Sequence, residues 1–140
     1  MNCTLDGLAG TCGRVPPWAG AATTIITTAT ASSSIPAAPV PPARVRVLSV
    51  HFAPGARTAW HRHPFGQVLH VSEGAGLVQS RGGEPEAIRA GDTVQAAAGE
   101  WHWHGAGPGT FMTHLAVQET GADGQSTEWG DHVSDDEYRP

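Results

Sequence analysis

The chain lacks lysine altogether and has almost no cysteine. All eight basic residues are arginine, so a catalytic Schiff base and the lysine of a phosphate-binding P-loop are both excluded. The two cysteines, Cys3 and Cys12, lie in the N-terminal segment. The sequence therefore predicts neither a disulfide scaffold nor a thiolate metal site in the core, and we expect two free thiols, although they can pair with each other.

Long apolar runs and basic stripes are also missing. No run approaches membrane-spanning length, and the first residues, MNCTLDGLAG, lack the basic start and apolar stretch of a secretion signal. We therefore expect a cytoplasmic protein that does not contact membranes. The formal net charge is −5, but six acidic residues lie between residues 123 and 137, so the rest of the chain is close to neutral. Nothing in this distribution indicates a nucleic-acid partner.

The 140 residues suit one domain with flanking segments. Residues 1–43 form a low-complexity N-terminal segment rich in Ala, Thr, Ser, Pro and Gly. Within it, AATTIITTAT at 21–30 has enough β-branched residues for one edge strand, while the composition equally allows a loose conformation. We expect residues 44–120 to form a barrel, and residues 121–140, an acidic tail, to pack loosely across its outside.

Residues 44–119 contain many short strand-like runs separated by glycine turns. The first is RVRVLSVHF at 44–52, which ends at a Pro-Gly turn. No stretch shows a convincing helical periodicity. The pattern predicts an all-β fold, an antiparallel sandwich or small barrel. The other predicted strands are 58–63, 67–72, 76–81, 86–89, 93–96, 100–104 and 110–119, with one of the separating turns at Glu73-Gly74.

Histidines and one glutamine occur at the spacing of a metal site. His61 and His63 point to the same face of a strand because side chains alternate. Gln67 begins the next strand and can place its amide oxygen beside them, and His102 can supply a fourth ligand from a distant strand. Three neutral imidazoles and an amide oxygen suit divalent manganese, iron, nickel or zinc. An HxH pair alone equally fits two exposed histidines, but the combined spacing favours the metal site.

These segments resemble the two motifs of the cupin superfamily. The first motif asks for Gly, five residues, HxH, three or four residues, Glu, six residues and Gly, and the chain provides Gly55, His61, His63, Gln67 and Gly74. The second asks for Gly, five residues, PxG, two residues, His, three residues and Asn, and the chain provides Gly91, Ala97, Gly99, His102 and Ala106. The resemblance implies a small antiparallel β-barrel or jelly roll (the double-stranded β-helix of cupins), here with an extended N-terminal segment.

Within this superfamily the chain resembles the small manganese-dependent cupins described as hydroxynitrile lyases. The similarity covers about residues 44–140 and rests on PGARTAWHRHPFGQ, GEWHWHGA, MTHLAVQE and EWGDHVSDDEYRP. It implies one divalent metal, Mn(II) ahead of Fe(II), Ni(II) or Zn(II). It also implies reversible cleavage of cyanohydrins to an aldehyde or ketone plus HCN. The ligands that it implies are His61, His63, Gln67 and His102, and His114 would lie beside the substrate.

Two further histidines carry the predicted chemistry. If His114 faces the metal, it can accept a proton or protonate cyanide, because a histidine of near-neutral pKa can do either. The alternative is an interior histidine with a purely structural role. His104 shares a face with His102, so it is either a further polar group at the site or a residue that orients a neighbour.

A pocket for an aromatic or aliphatic aldehyde or cyanohydrin is predicted around these histidines. Met112 and Gln118 share the strand face of His114. The apolar wall is expected from Leu48, Val50 and Phe52.

Two other functions remain open at this point. An oxygenase can use iron in the same pocket, since open positions on the metal bind dioxygen. A cupin that binds or senses a small molecule without catalysis is the third hypothesis, because Ala97 and Ala106 depart from the motif. Trp60, Trp101 and Trp103 fall opposite the ligand faces and favour packing or a subunit interface, so we expect a homodimer or homotetramer. Arg57 is expected in a surface ion pair.

Overall fold

The computed structural model describes residues 31–34 and 42–139, and the regular structure of this part of the chain is entirely β. The predicted strand at 21–30 and both cysteines lie outside the described residues. Within the described ranges, no helix has the length and apolarity of a membrane span. The strands are β1 (Ala31–Ser34), β2 (Val45–Phe52), β3 (His61–Arg62), β4 (Gln67–Ser80), β5 (Glu86–Arg89), β6 (Thr93–Ala96), β7 (His102–Ala106), β8 (Met112–Glu119) and β9 (Glu128–Trp129).

Two antiparallel layers share the long strand β4. In one layer the order is β1-β2-β8-β4, and β6 also pairs with the first half of β4. In the other layer the order is β4-β7-β3-β9, with β5 paired to the second half of β4. The sheet curls so that β7 faces β8 across the interior, where the His104 and His114 rings lie 4.7 Å apart. The predicted fold class, a small antiparallel β-barrel, is confirmed.

The predicted turn at Glu73-Gly74 is wrong, because β4 continues through it. The register of β4 against β8 shifts between Val71 and Glu73, which marks a β-bulge. Gly74 follows with φ of 74°, and a Cβ at this position would lie 2.0 Å from the carbonyl oxygen of Phe111. Glycine is therefore required here, as a bend that carries one strand from the first layer into the second rather than as a chain reversal.

The fold buries two apolar clusters, one on each side of β7. The first lies inside the barrel next to the histidines, where Phe52 contacts the rings of His104 and His114. It consists of Phe52, Ala56, Val71, Val78, Ile88, Ala106 and Met112. The second lies on the outer side of β7 and consists of Trp60, Leu77, Trp103 and Val133, with Trp101 and Tyr138 packed against it. Trp60 and Trp103 are thus packing residues within this chain, with 5% and 0% of their surface exposed. Burial of such large aromatic groups contributes several kcal/mol each, about 3–5 on truncation to alanine.

The segment after residue 120 is bound to the barrel by a buried arginine. Arg57 is 4% exposed and donates to the carbonyl oxygen of Val133 from Nε (3.1 Å) and from one terminal nitrogen (2.9 Å). The same nitrogen reaches Asp135 at 2.7 Å, and the guanidinium lies 4.4 Å from the Tyr138 ring centroid. The expected ion pair of Arg57 forms, with Asp135, but the expectation that the arginine lies at the surface is wrong, because the tail folds back over this side chain and removes it from solvent.

Candidate metal centre

Five buried histidines converge between the two layers. His61 lies on β3, His102 and His104 on β7, and His114 on β8, while His63 follows β3 directly. None of the five is more than 4% exposed. The pairing of β3 with β7 places His61 directly opposite His102, which is why residues far apart in sequence meet. A cluster of buried titratable side chains of this kind is a mark of a functional site.

The distances within this cluster suit a metal ion. Nitrogen atoms of His61, His102 and His104 all lie within 4.8 Å of one another, so these three can hold a metal. The His63 ring centroid is 5.1 Å from that of His61 and 5.5 Å from that of His102. The amide oxygen of Gln67 lies 3.1 Å from Nε2 of His102. The structure thus brings together the four predicted ligands and adds His104 to them.

Backbone carbonyls orient three of the histidines. Nδ1 of His61 lies 2.9 Å from the Ala59 carbonyl oxygen, Nδ1 of His63 lies 2.6 Å from that of Ser126, and Nδ1 of His102 lies 3.0 Å from that of Glu100. A carbonyl only accepts, so each Nδ1 carries the proton and each Nε2 presents a lone pair. Histidines that bind metals are commonly held in this way, with the remote nitrogen donating to a fixed acceptor.

The orientation of Gln67 completes the case for a cation. Its Nε2 donates to Oε1 of Gln118 at 2.7 Å, which directs its own Oε1 toward His102. A neutral His102 has one N–H, but it faces two acceptors, the Glu100 carbonyl oxygen at Nδ1 and Gln67 Oε1 at Nε2. One of these oxygens must therefore face the lone pair of a His102 nitrogen. In addition, the Nε2 atoms of His63 and His104 are buried and make no hydrogen bond within the described residues. Buried lone pairs that face one another are costly unless a positive charge lies between them, so the donor set fits a metal.

Burial keeps these imidazoles neutral. Loss of solvent lowers the pKa of His61 and the pKa of His104 well below the usual value. The nearby His102 lowers the pKa of His61 further, and His114 does the same for His104. Burial also lowers the pKa of His63 to about 4, although the Ser126 carbonyl partly opposes this. The pKa of His102 is lowered by burial as well. Neutral imidazoles are the form that binds metal ions.

His104 and His114 form a separate pair. Nδ1 of His104 and Nε2 of His114 are 3.1 Å apart, and the rings meet edge to face. The backbone N–H of His104 donates to the Thr58 hydroxyl at 3.2 Å. Burial lowers the pKa of His114 to about 4, an effect that neighbouring backbone carbonyls partly oppose. The two rings share one hydrogen bond, so a proton that reaches one of them can pass to the other.

A cavity of about 80 Å³ adjoins the histidines. No carboxylate is among the described residues that line it. The lining consists of Leu48, Val50, Phe52, Thr58, His61, His63, Gln67, His104, His114, Ala116, Gln118, Thr127 and Trp129. Of the predicted pocket residues, Leu48, Val50, Phe52 and Gln118 are included. Met112 is not, because it lies deeper, in the first apolar cluster, with no exposed surface.

The C-terminal segment supplies site residues that the sequence reasoning missed. Thr127 and Trp129 line the cavity, and Trp129 pairs with His61 in the β9–β3 ladder. Ser126 holds His63 through its carbonyl oxygen. The sequence feature that could have indicated these residues is the similarity of the tail, EWGDHVSDDEYRP, to the cupin lyases. Two histidines outside the cluster, His51 and His70, are exposed and form hydrogen bonds with Thr113 and Thr93.

A larger depression of about 760 Å³ lies beside the cavity. His63 and Thr127 line both spaces, so the two adjoin. The depression is otherwise formed by the 62–65 turn, Gly99 and residues 121–128, including the charged Arg62, Asp123 and Glu128.

The fold and the histidine centre define a cupin, and the chain belongs to that family. The family model described as a cupin domain matches residues 48–115. An (R)-mandelonitrile lyase from Granulicella tundricola is 55% identical over 98 residues, which are 70% of this chain and 74% of that protein.

Solved structures agree with this assignment. A cupin-like protein from Thermotoga maritima is 32% identical, covers 85% of this chain and 90% of its own, and superposes with a TM-score of 0.76. The polyketide cyclase RemF from Streptomyces resistomycificus covers 77% of this chain and 75% of its own with a TM-score of 0.61, and at 21% identity it supports the fold alone.

Proposed function

We propose that this cupin is a metal-dependent lyase that reversibly cleaves cyanohydrins to an aldehyde or ketone and HCN. The observation that carries the proposal is a metal-binding donor set made only of neutral groups, in which His104 is also hydrogen-bonded to His114 beside one small cavity. The similarity to an (R)-mandelonitrile lyase supports the lyase reaction and the substrate class.

His61, His63, Gln67 and His102 are the proposed metal ligands. His104 is near enough to join them through its unbonded Nε2. A bound divalent metal supplies Lewis acidity toward the hydroxyl oxygen of a cyanohydrin, and four neutral ligands leave its full positive charge for that purpose. We propose Mn(II) as the resident ion on the resemblance to the manganese-dependent cupin lyases. Fe(II), Ni(II) and Zn(II) are competitors, because imidazole and amide ligands accept them as well.

The His104–His114 pair is the proposed proton carrier. It takes up the proton of the cyanohydrin hydroxyl, the carbon–oxygen bond gains its second pair of electrons, and the carbon–carbon bond breaks with its electron pair leaving on cyanide. The pair then returns the proton to cyanide, so that a carbonyl compound and HCN are released and no oxidant is required. A histidine pair that is neutral at ordinary pH is ready to accept the first proton.

The cavity walls favour a small apolar substrate. Leu48, Val50 and Phe52 present aliphatic and aromatic surface opposite the ligand residues, while Gln118 holds the Gln67 amide in place. An aldehyde or cyanohydrin has one polar end and one apolar substituent, which suits a pocket with few polar groups.

Metal exchange combined with two activity assays tests the function. The protein is stripped with a chelator, reloaded separately with Mn(II), Fe(II), Ni(II) or Zn(II), and given mandelonitrile while benzaldehyde release and oxygen consumption are followed. We expect benzaldehyde release that depends on metal and proceeds without oxygen uptake. Oxygen consumption specific to the iron form would instead establish an oxygenase, and metal and aldehyde binding without turnover of any cyanohydrin would establish a binding protein.

The outer face of the first layer supports a homodimer or homotetramer. Val47, Val117 and Val68 are neighbours in the β2–β8–β4 register, and Val47 and Val68 are 39% and 36% exposed. A row of exposed apolar side chains on a sheet indicates an interface. Sedimentation velocity of the wild type and of a Val47→Glu variant tests this, because a charge in the row should shift the protein to monomer.

A further inference from the structure

Trp129 lies at the opening of the cavity. It is 40% exposed, whereas every other residue of the cavity lining is buried or half-buried. A side chain that both lines a cavity and faces solvent marks the place where the two spaces meet. The C-terminal segment therefore provides the rim of the site.

The backbone fixes the position of this side chain. Trp129 pairs with His61 in the β9–β3 ladder, and the adjacent Glu128 forms an ion pair with Arg62 at 2.7 Å. Gly130 N–H donates to the Trp60 carbonyl at 2.8 Å, and Trp60 N–H donates to the Asp131 carbonyl at 2.9 Å. The indole consequently lies 5.0 Å from the His61 ring, at an interplanar angle of 38°.

The cavity is small, about 80 Å³, and the histidines form one of its walls. The reacting carbon must approach the histidines, so a ring bonded to that carbon extends toward the opening. Trp129 is the aromatic side chain present there, whereas Phe52 lies deep in the cavity with no exposed surface.

We infer that Trp129 is a specificity-determining residue, whose indole forms the wall against which a planar aromatic substituent of the carbonyl compound stacks. The inference deepens the proposed function and rests on it for the class of substrate. Stacked aromatic pairs gain free energy beyond the apolar area that they bury, so the site would prefer aryl over alkyl aldehydes of equal size.

Aldehyde binding without cyanide tests the inference apart from catalysis. Calorimetric titration of the metal-loaded protein compares benzaldehyde with cyclohexanecarbaldehyde, which has a ring of similar size and no π system. Trp129→Leu should weaken benzaldehyde binding by about tenfold and cyclohexanecarbaldehyde binding by about threefold or less. Trp129→Phe should restore most of the preference. In the wild type, ring protons of bound benzaldehyde should show nuclear Overhauser effects to the indole, which does not depend on how the variants fold.

Two matched controls locate the ring. Phe65 is 52% exposed in the larger depression and Phe111 is 41% exposed away from both spaces, so Phe65→Ala and Phe111→Ala should leave the preference unchanged. A greater loss of benzaldehyde binding in Phe65→Ala than in Trp129→Leu overturns the inference. Equal weakening of both aldehydes in Trp129→Leu, no weakening, or a wild type that does not bind benzaldehyde also overturns it. Failure of mandelonitrile cleavage in the wild type, with the binding preference intact, would reject the proposed function alone.

Discussion

The five buried histidines divide into two groups that differ in how they are held. His61, His63 and His102 each face a backbone carbonyl through Nδ1, whereas His104 and His114 face each other. A carbonyl cannot give up a proton, so the first group has one tautomer and a fixed lone pair. The second group shares a hydrogen bond between two titratable rings, and its proton can move. The difference separates three residues suited only to hold a cation from a pair suited to transfer a proton, in which His104 also offers its Nε2 to the cation.

The largest expected effect comes from removing a member of the carbonyl-held group. His61→Ala should lose metal affinity by more than the roughly 10–100-fold that loss of an outer hydrogen-bond partner costs, since a ligand itself is removed. Lyase activity should fall below detection. Metal content after dialysis, measured by mass spectrometry, checks this, and His70→Ala, an exposed histidine on β4, is the control. Full metal retention in His61→Ala would contradict the division.

Removing a member of the mobile pair should affect turnover and spare the metal. His114→Ala is expected to lower kcat by about 10²–10⁴-fold, the contribution of a positioned acid–base group, while the metal content stays at the wild-type level. Steady-state kinetics with mandelonitrile and metal analysis of the same sample check the prediction. The control is His51→Ala. His51 is an exposed histidine on β2 that forms a hydrogen bond with Thr113, the neighbour of His114 on β8. If His114→Ala loses metal and activity together, the two groups are not distinct.

A change of charge among the ligands should give an intermediate effect. Gln67→Glu adds a negative charge to the donor set, so metal should bind more tightly and turnover should fall by about tenfold, because the Lewis acidity toward substrate decreases. It also removes the donor to Gln118. Chelator competition and kcat measure the two effects, with Gln95→Glu on the exposed face of β6 as the control. Unchanged turnover together with tighter metal binding would show that the neutral amide has no catalytic role.

The last expected effect concerns stability and not activity, and it is a pH dependence that both groups share. The pKa values of His63 and His114 are lowered to about 4 from the usual 6.5, mainly by burial. Between these values the unfolded chain binds more protons than the folded chain, so the metal-free protein should lose stability as the pH falls from 6.5 toward 4. Each group contributes a slope of at most about 1.4 kcal/mol per pH unit.

Urea unfolding of the metal-free protein at several pH values measures this slope. His114→Gln removes one of the titrating groups and should flatten the curve, whereas His70→Ala should leave it unchanged. A free energy of unfolding that is constant from pH 6.5 to pH 5 would contradict the expectation that burial lowers the pKa values of both histidines more than their hydrogen bonds raise them.

Local patterns in the sequence predicted the strands that lie between glycine turns. The strands at 86–89 and 93–96 have the predicted bounds, and β8 buries Met112, His114, Ala116 and Gln118 as its alternation required. The prediction of a turn at Gly74 was wrong because glycine is favoured at positive φ both in turns and at β-bulges, so its presence does not distinguish the two. At Gly74 the need for glycine comes from the close approach of the Phe111 backbone, which is distant in sequence and gives no signal in the local pattern.

The positions of the histidines and of Gln67 in the candidate site were predictable from the sequence, and the rim of the cavity was not. The spacing of His61, His63 and Gln67 follows from one strand and its turn, so the sequence contains that geometry. The assignment of metal and catalytic roles to these residues remains a prediction. Arg57 and Trp129 depend on a segment that returns to the barrel after many residues, with Arg57 and Val133 separated by 76 positions. Neither the burial of Arg57 nor the position of Trp129 leaves a periodic signal.

The carbonyl that fixes His63 belongs to Ser126, 63 residues further along the chain. All five histidines precede Ser126 in the chain, so the orientation of one proposed ligand depends on a segment that returns to the barrel from beyond residue 120. Displacement of that segment would remove the acceptor of His63 Nδ1 and, at the same time, the Thr127 and Trp129 walls of the cavity. The C-terminal segment thereby couples the tautomer of a proposed metal ligand to the exposure of the cavity beside it.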